Sequence, residues 1–283
     1  MSDIFLVGVV GSGIMGGGLA EVSARAGHHV VLRSRTVESA RAALDEIAAG
    51  LARQVSKGRI DADERDAILQ RITVTDSIAD LADCDLVIES VVEDLLIKRQ
   101  LFAELDRHVK PSAILATNTS TLPVVDLAMA TGRPPLVCGI HFFNPAPVMK
   151  LVEVVRPITA SNDTIERALE FAERCGKDAI EVRDHAGFVV NALLFPYLNN
   201  AVRMLERGTA GLEAIDTAMC GGCGFPMGPM RLLDLVGLDT SVAILDALYA
   251  EFKDPAYTPA PTLKRLVEAG YLGRKSGRGF YTY

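Results

Sequence analysis

Short apolar runs alternate with longer stretches of helical periodicity through the first two-thirds of the chain. Residues 5–10, 29–33, 72–74, 85–88, 113–116, 137–142 and 151–155 read as strands, and segments of helical spacing such as residues 37–55 and 95–107 lie between most of them. Strand, helix, strand repeated in this way predicts an α/β fold with a Rossmann-type, doubly wound parallel sheet. After residue 184 the pattern changes. Residues 189–207, 212–219, 241–252 and 261–269 all look helical, and few strand-like runs remain. The expected organisation is therefore a sheet domain over residues 1–184 and a smaller, all-helical domain over residues 185–283. Ser56-Lys57-Gly58-Arg59 is a short basic break between two helical segments and predicts the turn of an exposed helical hairpin.

Composition narrows the classes. The 283 residues, 49% hydrophobic and 23% charged, suit two domains with sizeable cores and exclude disorder, collagen and a disulfide scaffold. No apolar run approaches the ~20 residues of a membrane span, and no charged-then-apolar leader precedes the first strand, so a cytoplasmic location is expected. Five cysteines, an odd and scattered set, fit a reducing compartment. A net charge of −7 disfavours nucleic acid as a general partner, so an anionic ligand needs a local basic cluster or a helix N-terminus.

Such a terminus is written into residues 7–16. Gly11-Ser12-Gly13-Ile14-Met15-Gly16 places GxGxxG directly after an apolar strand and at the opening of a helix, the context in which this spacing is specific. Gly11 permits the tight turn, Gly13 lets the backbone approach a pyrophosphate, and Gly16 lets helix and strand pack closely, with Ile14 and Met15 completing the loop. A dinucleotide is the expected ligand. An acid about 20 residues further on would take the ribose hydroxyls of NAD, whereas an arginine would suit the 2′-phosphate of NADP. Here the second strand ends in Arg33-Ser34-Arg35-Thr36 and the acid is missing. Ser34 and Arg35 thus favour NADP over NAD, unless Arg35 is simply a solvated surface residue.

Three later stretches carry polar residues that are hard to place structurally. They are Ala116-Thr117-Asn118-Thr119-Ser120-Thr121, the stretch from Gly139 to Val155 with His141, Asn144 and Glu153, and Gly187-Phe188-Val189-Val190-Asn191. An imidazole at a strand end is the usual proton carrier beside a hydride path, although a buried strand histidine is more often a hydrogen-bonded core residue. A reverse turn over residues 144–147 would fold two strands into a hairpin and return Glu153 to the side of His141. A carboxylate there fixes the tautomer and favours the imidazolium. Ser120, before Thr121-Leu122-Pro123, also suits a helix cap.

With these stretches, Pro226-Met227-Gly228-Pro229, Gly237-Leu238-Asp239 and the terminal residues 270–281, the sequence resembles the 3-hydroxyacyl-CoA dehydrogenase family over nearly its whole length, most closely its short bacterial members. The resemblance implies interconversion of 3-hydroxyacyl-CoA and 3-oxoacyl-CoA, with short chains such as 3-hydroxybutyryl-CoA and acetoacetyl-CoA, using a nicotinamide cofactor and no metal. It matches His141 and Glu153 to the family's catalytic pair, and Ser120 and Asn191 to its residues that hydrogen-bond the substrate oxygens. It further suggests that Glu93, Lys98, Asn118 and Asn144 contact the nicotinamide half of the cofactor. Lys98 could equally be a surface helix residue. Arg53 and Lys57 match basic positions of the CoA-binding helix, and as a solvated face they would be unremarked. Asn191, near the start of the first helix after residue 184, implies a helical domain that closes over the dinucleotide domain, binds substrate and supports a homodimer.

The chain departs from the family at Ser34, where NAD-using members carry Asp, at Ala186 for Pro, at Ala192 for Arg, and at Arg231 for an acidic residue. Cys220-Gly221-Gly222-Cys223 is one CxxC with no second pair or nearby His, a weak metal or redox pattern. Competing readings are a relative acting on a carrier-protein thioester or a free hydroxy acid, and a nucleotide-binding protein that has lost turnover. The latter has no use for a base paired to a carboxylate.

Overall fold

The computed structural model describes residues 4–283. Two compact units divide the chain, Met1–Asp184 and His185–Tyr283. The first unit runs β1 (Leu6–Val10), α1 (Ile14–Arg25), β2 (His29–Arg33), α2 (Val37–Ser56), α3 (Ala62–Gln70), β3 (Ile72–Thr75), β4 (Leu86–Glu89), α4 (Leu95–His108), β5 (Ile114–Thr117), α5 (Val124–Ala128), β6 (Val137–Phe142), β7 (Leu151–Arg156), α6 (Asn162–Arg174) and β8 (Asp178–Arg183). Its eight-stranded sheet has the order β3-β2-β1-β4-β5-β6-β7-β8. All neighbours pair in parallel except β6 and β7, which form the expected hairpin. Both faces are covered, so β4, β5 and β6 are buried at every position and read as continuous apolar runs.

Side-chain caps start most of these helices. Thr36, Asp61, Asp94 and Ser161 each accept a backbone N–H from the first turn of α2, α3, α4 and α6. Helix α5 is capped from a distance, with the Asp184 carboxylate accepting from Val124 N at 2.9 Å and Val125 N at 2.7 Å. Helix α1 differs. Its N-cap is Gly13, and no side chain bonds its first-turn N–H groups.

Strand β8 lies outside the sequence expectation. Its residues Asp178-Ala179-Ile180-Glu181-Val182-Arg183 form an exposed edge where only Val182 is buried, so the apolar signal of a strand is nearly absent.

The second unit is helical: α7 (Val190–Glu206), α8 (Leu212–Cys223), α9 (Pro229–Val236), α10 (Leu238–Phe252) and α11 (Pro261–Glu268). Phe195, Leu198, Val202, Leu233, Leu245 and Leu248 belong to its core. Two buried carboxylates staple it together. Asp234 accepts from Phe280 N at 2.8 Å, Tyr281 N at 2.9 Å and the Tyr283 hydroxyl at 3.1 Å. Asp216 accepts from Met230 N at 2.8 Å, Arg231 N at 3.2 Å and the Tyr281 hydroxyl at 2.9 Å. The approach to Asp234 requires glycine: a Cβ on Gly279 would stand 2.0 Å from Oδ1 of Asp234. Among the described residues, no helix is long and apolar enough to cross a membrane.

Candidate active site

The glycine loop closes over the carboxyl ends of β1 and β4. Gly11 has φ 117°, and a Cβ there would lie 2.3 Å from the Ser90 carbonyl oxygen. A Cβ on Gly16 would lie 1.9 Å from the Gly11 carbonyl oxygen, so only glycine lets α1 start this close to the turn. Gly13 faces open space, with nothing within 4 Å of an added Cβ. Uncapped N–H groups opening onto that space are a fitting cradle for a pyrophosphate. Ile14 is exposed at the loop, and Met15 packs against the core.

Residues 33–36 at the tip of β2 include no carboxylate. Ser34 is buried, with its Oγ 2.7 Å from the Ser12 Oγ inside the glycine loop. Arg35 is exposed beside it, Arg33 donates from Nε to the Asp76 carbonyl at 3.2 Å, and Thr36 caps α2.

The antiparallel register of β6 and β7 sets His141 directly opposite Glu153. Both side chains are buried, and His141 Nδ1 lies 2.8 Å from Glu153 Oε2. A carboxylate only accepts, so Nδ1 of the neutral ring carries the proton and Nε2 is the acceptor. Nε2 lies 3.1 Å from Ser120 Oγ, with the Phe143 ring 4.5 Å from the imidazole. Ser120 is therefore not a helix cap: Pro123 precedes α5, whose first N–H groups go to Asp184.

Glu93 reaches the same loop. Its Oε1 accepts from Thr119 Oγ1 at 2.5 Å and from Ser120 N at 3.0 Å. Lys98 is buried on the inward stripe of α4 with Leu101, Phe102 and Leu105, which removes the reading of a surface helix residue. Its Nζ donates to Glu89 Oε1 at 2.7 Å and Oε2 at 2.9 Å and forms an ion pair with Glu93 Oε2 at 3.2 Å. Asn118 accepts from Phe142 N at 2.9 Å and locks the end of β5 to the end of β6. Asn144 is exposed in the turn after Phe143.

Two candidates of the sheet unit, Arg53 and Lys57, stand apart from this cluster. Both are exposed at the end of α2. There Arg25 Nη2 donates to Gln54 Oε1 at 2.8 Å, which puts the last turn of α2 beside the last turn of α1, about 18 Å along α1 from the glycine loop. Asn191 occupies the first turn of α7 in the helical unit and is buried. Cys220 and Cys223 lie on the last turn of α8, and among the described residues no group of three potential ligands could hold a metal. Cys84, Cys138 and Cys175 have thiols pushed up to about 12 by burial.

Sequence reading missed Glu89, Thr117 and Thr119. A usable signal existed, since Glu89 ends the apolar run Leu86-Val87-Ile88 and Lys98 interrupts an apolar helical stripe. A buried acid and a buried base at adjacent strand and helix ends call for each other.

Comparison with known proteins matches residues 6–185 to the family described as "3-hydroxyacyl-CoA dehydrogenase, NAD binding domain" and residues 187–283 to its C-terminal domain. A "3-hydroxybutyryl-CoA dehydrogenase" of Mycobacterium tuberculosis is 51% identical over 286 residues, covering 100% of both chains. The mitochondrial hydroxyacyl-coenzyme A dehydrogenase of Sus scrofa is 42% identical, covering 98% of this chain and 90% of its own. The crystal structure of (S)-3-hydroxybutyryl-CoA dehydrogenase from Ralstonia eutropha superposes with a TM-score of 0.97 at 39% identity, covering 99% of both chains.

Proposed function

The chain belongs to the 3-hydroxyacyl-CoA dehydrogenase family, and on that premise we propose that it interconverts a short 3-hydroxyacyl-CoA and the corresponding 3-oxoacyl-CoA. The observation that carries this reading is the line Ser120–His141–Glu153, with bonds of 3.1 and 2.8 Å at the carboxyl ends of the sheet.

A nicotinamide dinucleotide bound along the glycine loop supplies the hydride acceptor or donor. Gly11, Gly13, Ile14, Met15 and Gly16 hold its pyrophosphate, Ser34 and Arg35 its ribose end, and Glu93, Asn118 and Asn144 its nicotinamide half. Lys98, hydrogen-bonded to Glu89 and ion-paired with Glu93, serves the same half of the cofactor. In oxidation His141 Nε2 takes the C3 hydroxyl proton, and Glu153 stabilises the imidazolium that forms. In reduction the same nitrogen returns it. Ser120 hydrogen-bonds the substrate oxygen, so that charge developing there meets a donor already held beside His141, and the family resemblance supports assigning Asn191 to the same oxygen. Arg53 and Lys57 hold CoA phosphates on the outer end of α2. The helical unit exposes Leu193, Phe225, Leu235 and Phe252, and we assign it self-association into a homodimer, checked by the mass in solution.

The cofactor preference follows from the tip of β2. A neutral serine pair in place of a carboxylate removes the repulsion of a 2′-phosphate, and Arg35 adds attraction, so NADP(H) is preferred. Mixing the protein with acetoacetyl-CoA and NADH or NADPH, and following the loss of nicotinamide absorbance, tests the whole reading. Turnover that is faster with NADPH supports it. No turnover with either, or turnover only of free acetoacetate, overturns it.

A further inference from the structure

The residues that touch Ser120 and His141 are themselves held by a deeper layer, and its centre is Glu89. Its carboxylate, fully buried at the last position of β4, accepts four hydrogen bonds. Lys98 Nζ gives two, Thr117 Oγ1 gives one to Oε2 at 2.7 Å, and Val91 N gives one to Oε1 at 2.6 Å. Two routes lead from there to the loop after β5. The first runs from Lys98 to Glu93, and from Glu93 to Thr119 Oγ1 and Ser120 N. The second runs through the Thr117 hydroxyl, which donates to Glu89 and accepts from Thr119 N at 3.2 Å. Beyond Ser120 the chain of bonds continues to His141 and Glu153.

We propose that Glu89 is a positioning residue for the reaction: it fixes Lys98 and Thr117, and through them the loop that aims Ser120 at His141. The inference rests on the dehydrogenase reading for what the loop does, but the seat itself is a property of this chain. A carboxylate is required because all four bonds come from donors, two from Lys98 and one each from Thr117 and Val91. A glutamine of the same shape offers one oxygen and turns an NH2 group towards donors, so two of the four bonds are lost and the Lys98 ammonium loses its counter-charge. The ammonium then pulls on Glu93 alone, and the Thr119–Ser120 segment relaxes. Misplacement of about 1 Å at a reacting group is enough for roughly 100-fold in rate.

The test is Glu89→Gln in the full chain, read in two independent ways. Steady-state kinetics with acetoacetyl-CoA are expected to show kcat lowered about 10- to 100-fold, with KM changed much less, since the loop acts on the reacting oxygen rather than on the CoA portion. In the substrate-free protein, the Ser120 amide proton, downfield in the wild type because it donates to the Glu93 carboxylate, is expected to move upfield by NMR. Glu89→Gln combined with Lys98→Met should be no worse in kcat than Glu89→Gln alone, because the lysine acts in series. A folded Glu89→Gln protein with wild-type kcat and an unmoved Ser120 amide would overturn the proposal, as would a double variant whose losses multiply. Should Glu89→Gln fail to fold, Thr117→Val decides, through a several-fold loss in kcat with a shifted Thr119 amide, or neither. A wild type inactive on the thioester would defeat the dehydrogenase reading alone, since the amide shift tests the seat without substrate.

Discussion

Two buried carboxylates of the helical unit, Asp216 and Asp234, and two of the sheet unit, Glu89 and Glu153, are satisfied in opposite ways. In the helical unit, Asp216 and Asp234 accept from backbone N–H groups and tyrosine hydroxyls, partners that do not change charge near neutral pH. In the sheet unit, Glu89 and Glu153 face an ammonium and an imidazole. The first arrangement fixes chain against chain. It also pushes the Tyr281 hydroxyl well above the ordinary tyrosine range, through burial and the hydrogen bond to Asp216. The second sets a buried carboxylate against a nitrogen base, which at Glu153 is the His141 imidazole of the catalytic line. Burial of an acid therefore says little until its partner is known.

The largest effect should come from breaking the structural half of that comparison. Asp234→Ala leaves the Phe280 and Tyr281 N–H groups without their acceptor and frees the end of the chain, at a cost of about 3–5 kcal/mol. Thermal melting should show a midpoint lower by roughly 10 °C or more. Glu153→Gln should instead melt close to the wild type and lose rate. Reversal of the two outcomes would erase the distinction.

Next in size is the tip of β2, where polar residues are near the ligand path but carry no acid. Ser34→Asp with Arg35→Ile should move the ratio of kcat/KM for NADPH over NADH by roughly 10- to 150-fold towards NADH, the worth of one charge-assisted bond. An unmoved ratio would show that this loop does not read the 2′ position. The smallest effect is expected at the far end of α2. Replacing Arg53 and Lys57 with Glu should raise KM for acetoacetyl-CoA several-fold and leave a truncated thioester without the nucleotide nearly unaffected. Equal effects on both substrates would make those residues a solvated face.

How much of this was legible in the sequence differs between the same regions. The glycine loop could be read because its three glycines answer to local geometry, a positive φ at Gly11 and a contact with its own turn at Gly16. The pairing of His141 with Glu153 could be read because the strands are consecutive and a short turn fixes their register. The pairing of Glu89 with Lys98 carries a weaker signal, and Lys98 is reached through the family resemblance rather than its own spacing. Their partners Thr117 and Glu93 come from different loops and strands, and a lone Lys in a helix ordinarily lies on the solvated face. Asp184 caps a helix some 60 residues earlier in the chain, a relation that no local pattern carries. Strand β8 was hidden for the opposite reason: an edge strand needs few apolar residues, and Asp178, Glu181 and Arg183 mask those it has.

The most direct test of the catalytic line is His141→Gln, with cofactor binding and turnover measured on the same preparation. The imidazole is placed as the proton carrier and takes no part in holding the dinucleotide. Turnover of acetoacetyl-CoA should therefore fall by roughly 10²- to 10⁴-fold, while the dissociation constant for the nicotinamide cofactor stays within about twofold of the wild type. Near wild-type turnover in the variant would contradict the account, and a loss of cofactor binding that matched the loss of rate would contradict it as well.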